Sequence, residues 1–70
     1  MISVLIVDDE FEIREGLRKR VPWNEYGINA VMAASDGDEA LQMARRHQPN
    51  LIVTDIKMNR MSGLEFLAEL

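Results

Sequence analysis

Ile2-Ser-Val-Leu-Ile-Val-Asp-Asp-Glu10 opens the chain with an apolar run, interrupted only at Ser3, that ends abruptly on three acidic residues. A short continuous apolar run suits a strand covered on both faces, as in a parallel sheet, where a half-wet sheet would show alternation. Immediately afterwards the period changes. Ile13, Leu17 and Val21 fall four apart and form one stripe of a helix, with Arg14, Glu15, Arg18 and Lys19 expected to face water. Pro22 stops that helix, because it has no N–H to donate and disfavours helical geometry in the residue before it. Gly27 marks a turn.

Further along, the alternation repeats. Ile28 to Ala34 is a second apolar run centred on Val31 and Met32, and predicts strand two. Ser35-Asp-Gly37 turns the chain, and Ser35 or Asp36 can cap the next helix, which carries Asp38 and Glu39 in its first turn. Ala40, Leu41 and Ala44 make its buried stripe, and Arg45 and Arg46 sit near its negative end. Pro49-Asn50 breaks the pattern. Leu51 to Thr54 is a third short strand ending at Asp55, and after a loop containing Asn59, Ser62 and Gly63 the stretch Leu64 to Leu70 begins a third helix. The order βαβαβ plus the start of an α leaves room for a helical crossover between strands, which implies an α/β fold with a parallel sheet and right-handed connections. The pattern stops inside a helix with no capping signal after Leu70, so residues 1–70 read as one partial domain, truncated.

Composition excludes several functions. The 70 residues fall short of the ~100–150 of an ordinary domain, although a hydrophobic fraction of 47% is that of a globular chain. With 12 acidic and 8 basic side chains, a net charge of −4 and no basic stripe, this segment is not built to grip nucleic acid by itself. The absence of cysteine removes disulfides and thiolate metal sites. There is no basic n-region at the start, and no apolar stretch approaches the ~20 residues that span a bilayer. The expected setting is the cytoplasm, without membrane contact.

In open parallel sheets the ligand crevice lies beyond the carboxyl ends of the strands. Two of the three predicted strands end in carboxylates there: Asp8 and Asp9 after the first, Asp55 after the third. Neighbouring strands lie about 4.8 Å apart, so pairing of the first and third would crowd three carboxylates into one small space. Like charges that close are costly unless a cation joins them, and a hard divalent ion such as Mg2+ takes one or two carboxylates with waters and phosphate oxygens. A carboxylate can also act as nucleophile toward a phosphoryl group. Asp55, alone at its strand end behind an apolar run, suits that role, while the adjacent pair Asp8 and Asp9 suits metal holding. Each feature by itself is also ordinary turn and helix-cap chemistry; it is their placement at equivalent strand ends that points to a site. His47, beside Arg45-Arg46, reads as solvated. Trp23 and Tyr26 read as cover for the sheet edge, and Met58 and Met61 as loop packing.

Four blocks carry a family resemblance. Leu5-Ile-Val-Asp-Asp-Glu10, Asp36-Gly-Asp-Glu-Ala-Leu41, Pro49-Asn-Leu-Ile-Val-Thr-Asp-Ile-Lys-Met58 and Met61-Ser-Gly-Leu-Glu65 resemble the receiver domain of bacterial two-component response regulators, in the right order and across essentially the whole chain. Val21-Pro-Trp-Asn-Glu-Tyr-Gly-Ile28 looks like receivers that precede an AraC-type DNA-binding domain. The resemblance implies a flavodoxin-like, CheY-like doubly wound sheet ordered 2-1-3-4-5. It implies Asp55 as the phosphoacceptor, Asp9 as a direct Mg2+ ligand, Asp8 as a ligand chiefly through water, and the backbone carbonyl of Lys57 as a further ligand. A sensor histidine kinase or a small-molecule phosphodonor would supply the phosphoryl group, and an output domain would control transcription. Asn59 stands where the family usually has proline and Ser62 where it usually has Asp or Asn. The family's switch Ser/Thr, conserved lysine and switch aromatic would lie beyond Leu70, so phosphoryl transfer by this segment alone is expected to be slow.

Two other readings remain open. A half-domain would expose strand three as a bare edge and leave apolar faces uncovered, so it would self-associate. An aspartate-based phosphatase of the haloacid-dehalogenase type would need a second Asp two residues after the nucleophile, where this chain has Lys57.

Overall fold

A computed structural model describes residues 2–55 and 62–70. Strand β1 (Ser3–Val7) leads into helix α1 (Phe11–Arg20), a single 3-10 turn (Trp23–Tyr26), strand β2 (Ala30–Ala34), helix α2 (Gly37–His47), strand β3 (Leu51–Thr54) and helix α3 (Gly63–Glu69). The three strands form one parallel sheet in the order β2-β1-β3. The first strand is therefore central, flanked by the second through Ser3↔Ala30 to Val7↔Ala34 and by the third through Val4↔Leu51 to Val7↔Thr54.

The unbroken apolar run of β1 now has its reason. Leu5 and Val7 point into a core made with Ala34, Ala40, Leu41, Ala44 and Phe66, against which Met32, Met43 and Ile52 pack. Val4 and Ile6, offset by one residue, point to the opposite face of the pleat and are equally buried. Phe66 is the largest fully buried side chain, and each such side chain contributes about 1.5–3 kcal/mol of transfer free energy.

Helix boundaries follow their caps. Asp36 accepts the Glu39 N–H at 2.8 Å and the Glu39 carboxylate accepts the Ser35 N–H at 2.6 Å, which starts α2. That helix closes on Gln48 in the left-handed region, its N–H donating to the Ala44 carbonyl. Ser62 and Glu65 form a reciprocal capping box at the start of α3. Ser62, which departs from the family's usual residue, thus keeps an acceptor at the position that needs one. Pro22 does end α1, with Val21 already extended.

Three local expectations need correction. The second strand starts at Ala30 instead of Ile28, because the Ile28 N–H turns back to the Trp23 carbonyl while those of Asn29 and Ala30 both donate to Ile2. The Ile13–Leu17–Val21 stripe is not buried: Ile13 is 47% exposed, Leu17 is half-buried and Val21 lies beyond the helix. α1 packs against β1 and β2, yet none of its residues is fully buried. Tyr26 stands in solvent instead of covering the sheet edge, whereas the half-buried Trp23 donates its indole N–H to the Leu17 carbonyl at 3.0 Å and satisfies one of the open carbonyls near the end of α1. Met58, Met61 and Asn59 lie outside the described residues. His47 is exposed, as expected.

Candidate functional site

The carboxyl end of the sheet is built by two ladder bonds that run one residue past the strands. The Asp8 N–H donates to the Ala34 carbonyl at 3.1 Å, and the Asp55 N–H donates to the Val7 carbonyl at 3.0 Å. Both aspartates are thus fixed by backbone pairing, side by side at the top of β1 and β3. Oxygen atoms of Asp8, Asp9 and Asp55 all lie within 4.8 Å of one another. Asp8 is buried, Asp9 is half-buried and Asp55 is the most open of the three. The convergence expected from the strand-end carboxylates is present. The fourth expected contributor, the Lys57 carbonyl, lies outside the described residues.

The turn that follows β1 is short and well held. One carboxylate oxygen of Asp8 accepts the Glu10 N–H at 2.9 Å, an Asx-type turn that starts α1, whose N-cap residue Glu10 makes no side-chain cap of its own. The Glu10 carbonyl accepts the Arg14 N–H at 2.9 Å. Arg14 is a residue that the sequence pattern assigned to water. Its guanidinium instead folds back and donates to the Asp8 carbonyl at 2.9 Å. Helical side chains lean toward the N-terminus of their helix, so a long cation in the first turn was the available signal.

Three carboxylates this close repel unless a cation or a proton intervenes. The donor set is all oxygen, carries formal charge and opens beyond the strand ends. Its chemistry fits a hard divalent cation of the Mg2+ or Ca2+ type and does not fit a soft metal. Among the described residues, no other group of three acidic or histidine side chains gathers in this way.

The fold and site place the chain in the class of open parallel α/β sheets that bind ligands in the crevice beyond the carboxyl ends of their strands, and here that crevice is acidic. The response regulator receiver domain model matches residues 4–70, and the chain belongs to that family. It is 49% identical over its whole length to an uncharacterized response regulatory protein of Staphylococcus epidermidis and 46% identical to the transcriptional regulatory protein HptR of Staphylococcus aureus. In each case it spans 28% of the relative's length. Among solved structures it resembles a two-component transcriptional regulator AraC from Clostridium phytofermentans, with TM-score 0.91 at 38% identity, over 99% of this chain and 56% of that one. The REC domain of AraT, a response regulator from Geobacillus stearothermophilus, gives 0.90 at 43% identity over 97% of this chain and 53% of that one. The chemotaxis response regulator CheY4 of Vibrio cholerae gives 0.84 at 35% identity over 99% and 55%. The CheY-like fold expected from the motifs is therefore the observed one, and the chain spans about half of these receiver structures.

Proposed function

We propose that the chain is the phosphoaccepting part of a response regulator, with Asp55 as the nucleophile and Asp8, Asp9, Asp55 and the Lys57 backbone carbonyl as the protein ligands of a Mg2+ ion. The observation that carries this reading is the meeting of the three aspartates at the ends of β1 and β3. A carboxylate oxygen of Asp55 attacks phosphorus. The bond from phosphorus to the donor's leaving group breaks, and that group departs with the electron pair, giving an acyl phosphate. Mg2+, when bound, offsets the negative charge of the transferring phosphoryl group. Asp8 and Asp9 supply the anionic oxygens that hold the ion, while the ladder bond to Val7 keeps Asp55 at the strand end. The module is a self-modifying acceptor and not an enzyme acting on a separate product.

In the whole protein the donor is a sensor histidine kinase or a small phosphodonor, the setting is the cytoplasm, and the consequence is control of transcription through an output domain. That the relative HptR is a transcriptional regulatory protein and the structural neighbour a two-component transcriptional regulator supports the transcriptional role. The test is incubation of the full-length protein with acetyl phosphate and Mg2+, read by intact mass. The expected result is a gain of one phosphoryl group that vanishes in Asp55→Asn; absence of any Asp55-dependent gain overturns the reading.

A second property is favoured by a separate observation. β3 is an outer strand whose Leu51 is 45% exposed, and Leu64 and Leu67 of α3 are also exposed. An open strand edge beside apolar side chains pairs readily with another copy. Self-association of this 70-residue chain would appear as a concentration-dependent sedimentation coefficient, and a monomer at all concentrations excludes it.

A further inference from the structure

The carbonyl that accepts Arg14 Nη1 belongs to the peptide unit joining Asp8 to Asp9. That unit is planar, so its tilt sets the direction in which the two neighbouring side chains leave the backbone. We propose that Arg14 is a positioning residue of the acidic site: by holding the Asp8–Asp9 peptide it aims both carboxylates at the Mg2+ ion they would share with Asp55. The proposal rests on the phosphoacceptor reading above and adds to it a residue that is neither a ligand nor a nucleophile.

The bonds around Asp8 show what Arg14 contributes. On its N-terminal side Asp8 is held by the sheet, through its N–H to Ala34 at 3.1 Å. Its side chain is held by the start of α1, through the Glu10 N–H at 2.9 Å. The hydrogen bond to its carbonyl comes from Arg14. Without it, the link to Asp9 can rotate about the flanking single bonds while the strand and the helix stay in place.

Arg14 is itself fixed. Its N–H donates to the Glu10 carbonyl at 2.9 Å, and its guanidinium carbon lies 5.4 Å above the centroid of the Phe11 ring. That ring is 64% exposed, a poor place for an aromatic side chain unless it has a partner, and stacking on the guanidinium gives it one. Although the aspartate cluster is adjacent, the hydrogen bond that Arg14 makes is to a carbonyl. A cation bonded to a carbonyl takes no carboxylate oxygen away from a metal ion.

Charge and geometry predict opposite outcomes. A guanidinium near the pocket repels Mg2+, so if its charge were all that mattered, neutralising it would tighten metal binding. If it aims the ligands, neutralising it weakens binding. The experiment is a Mg2+ titration of the chain followed by the amide NMR shifts of Asp9 and Glu10, on wild type, Asp9→Asn, Arg14→Gln, Arg14→Lys and Phe11→Leu, with metal-free melting recorded for each.

Asp9→Asn is expected to abolish binding. Arg14→Gln should raise Kd about tenfold, the lower end of the range for loss of an outer-shell partner. Arg14→Lys, which keeps a donor, should recover most of the affinity at an unchanged metal-free melting temperature. Phe11→Leu should cause a smaller loss, and if Arg14→Gln fails to fold, the Lys and Leu variants carry the test. Unchanged or tighter binding in Arg14→Gln, or a weakening that Arg14→Lys does not relieve, overturns the proposal while the metal site stands. A wild-type chain that binds no Mg2+ overturns the metal site and the proposal together.

Discussion

β1 and β3 carry the same local signature, a short apolar run that ends on aspartate, yet they sit in different surroundings. Val4 through Val7 are buried on both faces, and Asp8 is held through its N–H, its carbonyl and its side chain. In β3, Leu51 is exposed and Ile52, Val53 and Thr54 are only half-buried, because among the described residues the strand has a hydrogen-bonded neighbour on one side alone. The central strand is thus the anchor of the acidic site. The outer strand delivers the proposed nucleophile to a more open position, where a phosphodonor can approach. The division is physically sensible: ligand aim needs rigidity, whereas acceptance of a phosphoryl group needs access.

Substitutions can break this contrast. Leu5→Ala should cost about 2–5 kcal/mol, a large part of the stability of a chain this short at roughly 0.05–0.15 kcal/mol per residue. Loss of the cooperative thermal transition is therefore expected. Leu51→Ala, at a half-open position one strand over, should cost less than about 1 kcal/mol. Equal melting losses for the two would mean that β3 is as well packed as β1.

A smaller effect sharpens the role of the site. Mg2+ at about 100 times its Kd should stabilise the folded chain by about 2.7 kcal/mol, seen as a higher melting temperature that Asp9→Asn abolishes. Calorimetry showing the same rise in Asp9→Asn would place the ion elsewhere.

Asp8 separates structure from binding within one residue. Asp8→Ala removes the acceptor for the Glu10 N–H and should cost about 1 kcal/mol in metal-free stability. Asp8→Asn keeps an oxygen there and removes one of three crowded charges, so metal-free melting should be at or above wild type while the Mg2+ effect shrinks. If both variants melt alike without metal, the turn does not depend on that hydrogen bond.

The smallest effect lies away from both strands, on α1. The Arg18 guanidinium, hydrogen-bonded to Glu15 at 2.6 Å, holds the Glu15 carboxyl below its ordinary 4.5. A carboxyl whose folded-state value is depressed adds stability above its unfolded value and loses it as pH falls through the folded one. Glu15→Gln should therefore slightly flatten the acid limb of the melting profile below that value, and salt should erase the difference, since the pair is solvent-exposed. A steep loss on substitution would show a coupling beyond this pair.

Much of the fold was legible because it is local. Pro22 ending α1, the Asp36 cap of α2 and the Ala40–Leu41–Ala44 stripe each depend on residues within a turn or two of one another. The site was legible for the same reason: each aspartate directly follows its strand. The misreadings came where contacts between distant elements decide. Ile13 carries the right period for a buried stripe, but whether anything covers it depends on what other segments pack against α1. Arg14 looked like a solvent-facing charge, and only the position of the Asp8 carbonyl gives its guanidinium a partner.

By itself, then, the sequence determined the alternation of strands and helices, their caps, the acidic residues after the first and third strands and the receiver family, since all of these follow from periodicity and short motifs. Residue patterns left the strand order open, and the family resemblance implied it; the tertiary structure realises it, with β1 between β2 and β3 and Asp55 beside Asp8 and Asp9, and it alone decided that Arg14 turns back to clasp the Asp8–Asp9 peptide. Strand order and side-chain direction are fixed by pairing between segments far apart in the chain, and that information lies in no single stretch of residues.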